Sequence, residues 1–592
     1  MLAGIWTSPA LGGELAAIAH SSAWLKLLHY KSSTWRQAQS QLAGTKFFLA
    51  PSGNVDPLAE LEATLQALRH PNNLDEKQQS ARCIFPARAE FLSARLGENF
   101  APVPCPDLEA WLAALAPSGV SIVFASAYSS NPASLFGHTL LRIEHTQTPA
   151  LLAYAVHYAA VPVNDDNPIV YMAKGLTGGY PGFYMLSPYH DLVSLYTDGE
   201  SRDLWEYSLN LTADEARKLC LHLWELMNTA WAPYWFFDEN CSYALLSLLE
   251  AVRPQTHLLQ RFPGVVIPLA SIRALRTEGF ISELPKRRPS RKADSRAWLE
   301  RLTLAERLAA FDAAQAQESS ARPTTPVLDG AIAILDYRKM KNHGILPPHE
   351  HRNMAWFKEL RAQRDPDASE LAIHAVSVPD TQSASQKFRS GARHQKDTDY
   401  ALLTYTYGLH SQLDPAAGYE PWESIDYLSI DLLVRDPHTV AIDHLLVAEV
   451  EALSPWTLLD RRFAWHVYLG ASRYSNSLVP EAAAGIGEAF EIHSHLLIYA
   501  LGGLRVFPTW QTWQRNSGMA AALGILANWE RLRMRVAGEK LFAPWAVNSK
   551  VSLAYLGEAQ YDLSQTFSLS LRREYDALRL TNYWQIAGLF RF

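Results

Sequence analysis

Cys241 stands where an irregular aromatic stretch, Trp235-Phe236-Phe237-Asp238-Glu239-Asn240, gives way to an apolar helix that begins Ser242-Tyr243-Ala244-Leu245-Leu246. The free N–H groups and the positive dipole end of a helix favour a thiolate there, and the same N–H groups can hold an oxyanion. Attack of such a sulfur on an ester, amide or thioester also needs an imidazole to carry the proton and a polar group to orient that ring. Two histidines lie upstream on segments that read as strands: His138 in Leu135-Phe136-Gly137-His138-Thr139-Leu140, and His157 in Ala153-Tyr154-Ala155-Val156-His157-Tyr158. His138 shares a strand face with Phe136, Leu140 and Arg142, and His157 shares one with Ala155 and Ala159, so adjacent strands can present both rings to the helix end. Cys241, His138 and His157 form the expected catalytic set. Each alone has a plainer reading as a structural residue; the case rests on their combination. Asp238 and Glu239 oppose thiolate formation unless they face solvent or pair with a base.

Positioning these residues requires a framework, and the chain divides by pattern. Residues 1–115 read as a helical N-terminal accessory domain, with a turn at Pro51-Ser52-Gly53-Asn54 ahead of the periodic run Leu58 to Leu65. Residues 116–284 read as an α+β thiol domain in which strands at Val120–Ala125, Gly137–Ile143, Leu152–Ala159 and Asp203–Leu209 precede two helices. The first helix opens on a capping box, Thr212-Ala213-Asp214-Glu215, and the second starts at Cys241. Residues 285–398 are a charged, partly helical connector whose basic run, Lys286 to Lys292, reads as solvated linker in preference to a lipid headgroup contact. The stretch Gly175 to Gly182 reads as a loop flanking the cleft.

From Asp399 onward the pattern has period two. Leu578, Leu580, Trp584, Ile586, Gly588, Phe590 and Phe592 share one face, while Arg579, Thr581, Tyr583, Gln585 and Arg591 take the other. Roughly ten such strands, with aromatic residues near their ends and at the final position, predict an antiparallel β-barrel of the outer-membrane type over 399–592. The competing reading is a soluble sandwich or barrel with its apolar face turned inward. The predicted fold class is thus multidomain α+β with a helical module in front and a C-terminal antiparallel barrel behind.

With 592 residues, 48% of them hydrophobic and 19% charged, packed cores in several domains are expected. A formal charge of −7 gives no basic face for nucleic acid, and no apolar run reaches the ~18 residues of a membrane-spanning helix. Met1 to Ala19 lacks a basic start and carries Glu14, so it makes a poor signal peptide; a trimmed export signal or a start codon set too far downstream would account for this. Of the four cysteines, Cys83 and Cys105 lie in proline-bearing loops and are candidates for a disulfide in an oxidising compartment, while Cys220 reads as a buried, inert thiol within a helix. His190 and His222 lack partners at metal-ligand spacing and no phosphate-binding glycine loop follows a strand, so no metal or cofactor is expected.

The blocks Ser130-Asn131-Pro132-Ala133-Ser134-Leu135-Phe136-Gly137-His138-Thr139-Leu140-Leu141-Arg142, Tyr154-Ala155-Val156-His157-Tyr158, Lys174-Gly175-Leu176-Thr177-Gly178-Gly179-Tyr180, Glu200-Ser201-Arg202-Asp203-Leu204-Trp205-Glu206-Tyr207 and Glu239-Asn240-Cys241-Ser242-Tyr243 occur in that order. Over about Val120 to Leu284 they resemble the Lnb-type periplasmic domain family, which includes bacterial lipoprotein intramolecular acyltransferases; the flanking regions resemble the longer Gram-negative members. More distantly, the order of histidine, second polar residue and Asn-Cys at a helix start is similar to the permuted papain-like fold of lecithin retinol acyltransferase relatives and NlpC-type peptidases. The resemblance implies Cys241 as nucleophile, His138 as base and His157 as orienting residue, although many Lnb-type members carry asparagine at the last position. Asn131, Ser134, Arg142 and Asn240 are carried over as substrate-proximal candidates, and Lys174, Glu200, Arg202 and Glu206 as substrate-proximal or domain-stabilising ones.

The expected protein is a cell-envelope thiol acyltransferase or hydrolase at the outer membrane, its catalytic domain facing the periplasm. Its substrate would be a lipid or lipoprotein acyl ester such as a phospholipid. A cell-wall peptide amidase uses the same residues, and a non-enzymatic scaffold or pore with a degenerate thiol domain is the third reading.

Overall fold

A computed structural model describes residues 9–31, 39–44, 46–70, 79–126, 136–161, 166, 170–171, 174–175, 177–236, 238–262, 264–317, 322–342, 344–364, 378–381, 384–408, 410–415, 422–436, 439–474, 477–507, 517–542 and 551–592. The chain divides into two compact units, Met1–Ala293 and Asp294–Phe592.

The first unit opens with helices α1 (Pro9–Ala19), α2 (Ser22–Leu27), α3 (Pro57–Arg69), α4 (Ala81–Ile84), α5 (Pro86–Leu96) and α6 (Pro106–Leu115), joined by a ribbon of β1 (Tyr30–Lys31) and β2 (Gln39–Ser40). Local chemistry sets their starts: Ser21, Asp56 and Ser80 accept from backbone N–H groups of the first turns of α2, α3 and α4, and prolines open α3, α5 and α6. Leu15 and Ala19 are buried, so the N-terminal segment packs into this module. Arg88 is fully buried, sandwiched between the Phe47 and Phe85 rings, with its guanidinium 2.6 Å from Glu60 and 3.8 Å from Glu225. Such a pair persists only because both carboxylates have further donors, and it ties the module to the next domain. Cys83 and Cys105 are disulfide-bonded, with Cα atoms 5.4 Å apart.

The following domain is built on an antiparallel sheet of β3 (Pro117–Ala125), β4 (His138–His145), β5 (Tyr154–Ala160), β6 (Tyr180–Pro188), β7 (Leu204–Ser208), β8 (Ala232–Tyr234) and β9 (Lys286–Arg288), in the order β8-β6-β5-β4-β3-β7-β9. One face carries α7 (Tyr189–Val193) and a π-helical turn, Ser194–Gly199, which bury Tyr189, Leu192 and Tyr196 against Val123, Leu140 and Ala155. The other face carries α8 (Ala213–Thr229) and α9 (Cys241–Val252); α10 (Pro268–Thr277) follows. The capping box of α8 is formed, Thr212 and Glu215 satisfying each other's backbone N–H. The run Lys286–Arg288 corrects the linker reading: it is an edge strand on β7, held because Asp203 and Glu206 present carboxylates to Arg287, at 2.6 Å, and Arg288, at 3.2 Å. The domain therefore continues past residue 284.

The second unit begins within α11 (Arg291–Glu300) and continues through α12 (Leu304–Gln315), α13 (Thr325–Lys341) and α14 (Pro348–Ala362), which share a core including Phe311, Leu328, Ile334 and Phe357. The connector is thus a packed helical bundle. Twelve strands then close a barrel: β10 (Gln386–Gln395), β11 (Thr398–Tyr407), β12 (Glu423–Asp436), β13 (Thr439–Ala452), β14 (Ala464–Tyr474), β15 (Ser477–His493), β16 (Leu496–Val506), β17 (Gly518–Asn528), β18 (Leu532–Phe542), β19 (Val551–Asp562), β20 (Phe567–Asp576) and β21 (Thr581–Arg591). Closure pairs β10 with β21, Lys387 opposite Arg591. The barrel begins before Asp399, and it has two strands more than the alternation suggests.

Side-chain placement decides between the membrane and soluble readings. Trp584, Ile586 and Phe590 are 52%, 62% and 47% exposed on the outside, whereas Tyr583, Gln585 and Arg591 are buried in the lumen. An apolar exterior around a charged interior is the inverse of a soluble barrel and fits a lipid surround. Among the described residues no helix is long and apolar enough to cross a membrane. The lumen is crossed by ion pairs, among them Arg393–Asp443, Arg535–Glu451 and Arg505–Glu481, each at 2.6 Å. Residues of the β11–β12 connection fold into it: Asp414 pairs with Arg591 at 3.1 Å and with Lys387, and the Leu413 carbonyl accepts from Gln560 at 2.6 Å. A polar cavity of about 310 Å³ remains among these groups.

Candidate functional site

Cys241 is the first residue of α9, and the turn that delivers it is held by Asn240. The Asn240 Oδ1 accepts from the backbone N–H groups of Ser242 and Tyr243 at 3.0 and 3.2 Å, while Nδ2 donates to the Val266 carbonyl at 2.6 Å. Asn240 is the helix cap, which is the role its residue type and position favour. Cys241 is only 3% exposed. Thr139 Oγ1 lies 3.9 Å from its Sγ, and 2.8 Å from Ser242 Oγ. Tyr234 stands against the same place: burial first, then the charge of a Cys241 thiolate, push its phenol well above the ordinary range, and the Cys241 backbone N–H reaches its oxygen. A phenol O–H and a helix-start N–H therefore converge beside the sulfur.

His138 is the first residue of β4. Gly137, at φ +84°, turns the chain into the strand with no room for a side chain, since a Cβ would come 2.6 Å from the Phe124 ring. Alternation along β4 sends Thr139 toward α9 and puts His138 on the face of Leu140, where its ring lies 5.9 Å from that of Tyr196. Burial above all, and then the Arg202 guanidinium, hold the His138 imidazole down to about 3, with Glu200 opposing. His157 stands on the same sheet face; burial and the neighbouring His138 lower it to about 4, and its Nε2 is 3.1 Å from Ser187 Oγ. Both rings are neutral at neutral pH, and in the free protein their burial disfavours the protonated form. The sulfur's hydrogen-bond partners are the Thr139, Ser242 and Tyr234 side chains, and His138 is not among them.

Arg202 and Glu200 form the charged border of the site. The guanidinium donates to the Ala125 and Ser126 carbonyls at 3.0 and 2.6 Å, pairs with Glu200 at 2.7 Å and lies over the Tyr196 ring. Arg142 is elsewhere: it is buried with Glu206 at 2.5 Å and Glu144 at 2.7 Å, four positions along β4 from His138. Lys174 pairs with Asp166 at 2.8 Å. Asn131 and Ser134 lie outside the described residues. The glycine stretch packs on the segment ahead of Cys241, Gly175 against the Phe236 ring and Gly178, at φ +70°, against Trp235. Cys220 lies in α8, fully buried, its thiol pushed up to about 12 by that burial.

Sequence reasoning missed Thr139, Tyr196 and Tyr234. Thr139 adjoins His138 and was open to inspection; the other two come from segments whose proximity only the fold creates.

These elements define an envelope protein that joins an α+β domain with a buried, capped cysteine to a barrel of the outer-membrane type. Residues 107–278 match the Lnb N-terminal periplasmic domain, so the chain carries that periplasmic domain. Residues 16–95 and 377–589 match two domains of unknown function, DUF7843 and DUF7840. No curated protein matches the chain. Among solved structures, the NanC porin is similar at 9% identity and TM-score 0.24, covering 35% of this chain and 99% of its own. The KdgM porin in complex with disordered oligogalacturonate is similar at 6% identity and TM-score 0.23, with the same coverage of both chains. A mutant of the Rh. blastica porin follows at 8% identity and TM-score 0.18, with 35% of this chain and 98% of that one covered.

Proposed function

We propose that the chain is a cysteine-dependent acyltransferase or hydrolase of the cell envelope, acting on lipid or lipoprotein acyl esters. One observation carries this reading: Thr139, the neighbour of His138, lies within hydrogen-bond reach of the Cys241 sulfur, so the strand end bearing the imidazole and the helix start bearing the thiol meet. In the proposed reaction Sγ attacks the ester carbonyl and its proton passes to His138, whose imidazolium, disfavoured in the free protein, is stabilised by the negative charge that develops beside it. The oxyanion is held by the Cys241 N–H and the Tyr234 hydroxyl, and collapse expels the alcohol, which takes the proton from His138. Water or an amine then attacks the Cys241 thioester, its proton returning through His138, and releases the thiol. Closing the sulfur–imidazole gap is assigned to substrate binding, as catalytic hydrogen bonds are often long in the free enzyme. His157 is the orienting neighbour of His138, acting through the shared sheet face.

The lipid ester is favoured over a cell-wall peptide because a lipid-facing barrel keeps the chain where acyl chains are abundant. An open pore is disfavoured by the charged residues and the inward 410–414 segment that occupy the described lumen. Purified wild-type, Cys241→Ala and His138→Ala proteins should be assayed on phospholipid, diacylated lipopeptide and muropeptide. Ester turnover lost in both variants supports the reading; full turnover by Cys241→Ala refutes it, and turnover of muropeptide alone transfers it to amidase chemistry.

A further inference from the structure

The two carboxylates that precede the nucleophile meet a cation, and it comes from the N-terminal helical module. Lys31, on β1, forms an ion pair with Glu239 and lies 5.9 Å from the centre of the Tyr243 ring. It faces Asp238 as well: burial raises that carboxyl above its ordinary range and the Lys31 charge counters it, while burial lowers the Lys31 ammonium and Asp238 counters that.

The segment that carries Lys31 is pinned along α9. His29 sits at φ +55°, a conformation a non-glycine residue holds only when its surroundings impose it. Its Nδ1 is 2.6 Å from Ser247 Oγ, on the same helix as Cys241, and its Nε2 is 2.9 Å from His222 Nε2 on α8. His222 Nδ1 in turn lies 3.2 Å from Glu225, and Gln41 Nε2 donates to Ser247 at 3.2 Å. The arm therefore touches α9 beyond the cysteine through His29 and just before it through Lys31.

We propose that Lys31 is a positioning residue of the thiol site, supplied by the N-terminal module to neutralise the Asp238 and Glu239 carboxylates and so permit an anionic sulfur at Cys241. This rests on the nucleophilic role given to Cys241 above. The other titratable groups that face the sulfur are Tyr234 from β8 and Tyr196 from the π-helical turn, with His138, Arg202 and Glu200 gathered on the far side of the Tyr196 ring; none of these cancels the charge on the Asp238–Glu239 side. The helical module is then a working part of the thiol domain, tied to its reactivity through one side chain.

The test is the rate of iodoacetamide alkylation of Cys241 between pH 5 and 9 in the full chain, read by peptide mass spectrometry with Cys220 as internal control. Lys31→Met should move the pH midpoint up and slow alkylation at pH 7 by about threefold or more, because uncompensated like charge disfavours the thiolate. Lys31→Arg should keep the wild-type profile, Glu239→Gln should move the midpoint down, and the Lys31→Met/Glu239→Gln double variant should return toward wild type, a rescue that lost packing would not give. An unchanged profile in both Lys31→Met and Glu239→Gln, or no rescue in the double variant, overturns the inference alone. A wild-type Cys241 that reacts no faster than Cys220 overturns the nucleophile reading and the inference with it.

Discussion

The Thr139 hydroxyl lies between two residues of one helix start, 3.9 Å from the Cys241 sulfur and 2.8 Å from Ser242 Oγ. Because Thr139 follows His138 directly, a contact of the strand with the helix fixes where the imidazole stands relative to the thiol. Replacing Thr139 with Val should remove this hydroxyl at nearly constant volume. The expected cost is about 1 kcal/mol of stability, with Ser242 losing a buried partner, and about fivefold in turnover. Denaturant unfolding and steady-state kinetics on the same preparation check both.

Acid should loosen the first unit. Burial first lowers His138 to about 3 and His157 to about 4, and it lowers His29 well below the ordinary range. In the unfolded chain these rings titrate near ~6.5. Between the two values the unfolded state binds more protons, so stability rises with pH there. The contribution is full above about pH 6.5 and is lost progressively toward pH 4 and 3. Urea midpoints taken from pH 7.5 down to 4.5 should fall, and His157→Gln should flatten part of that slope.

The Cys83–Cys105 bond closes a loop across α4, α5 and the start of α6. Its removal by the Cys83→Ser/Cys105→Ser pair should destabilise the N-terminal module by about 2–4 kcal/mol, chiefly through the larger entropy of the unfolded chain. Denaturant melts with and without reductant test this, since the double variant should melt alike in both.

The barrel was legible where its two faces differ most. In β21 the alternation of Trp584, Ile586 and Phe590 with Tyr583, Gln585 and Arg591 gave both the strand and the orientation of its faces. β10 escaped because its lumen side carries Lys387, Arg389 and Arg393 while its outer side offers Ser390, Ala392 and His394, so period-two hydrophobicity is nearly absent. The edge strand Lys286–Arg288 escaped for a related reason: its pairing depends on Asp203 and Glu206, far away in sequence. In the thiol domain the Asn240 cap, the start of α9 and the capping box of α8 could be read locally. The Lys31–Glu239 pair could not, since no periodicity links positions 31 and 239.

Lipid exposure of the barrel exterior makes a quantitative expectation at mid-strand. Leu523 in β17 is 67% exposed on the outer face. Leu523→Arg should cost about 2–4 kcal/mol in bilayer or micelle, the penalty for arginine at membrane mid-depth, whereas a soluble barrel would tolerate it. Heat-modifiable gel mobility and reversible urea unfolding in detergent distinguish the two.

The central claim is that the Cys241 sulfur becomes acylated. Wild-type protein incubated with a phospholipid or diacylated lipopeptide, quenched in acid and digested, should yield the Cys241 peptide heavier by one acyl chain, in an adduct that hydroxylamine removes and that is missing in Cys241→Ser. An unmodified Cys241 peptide under conditions in which the ester is turned over, or an acyl group found on another residue, would contradict the account.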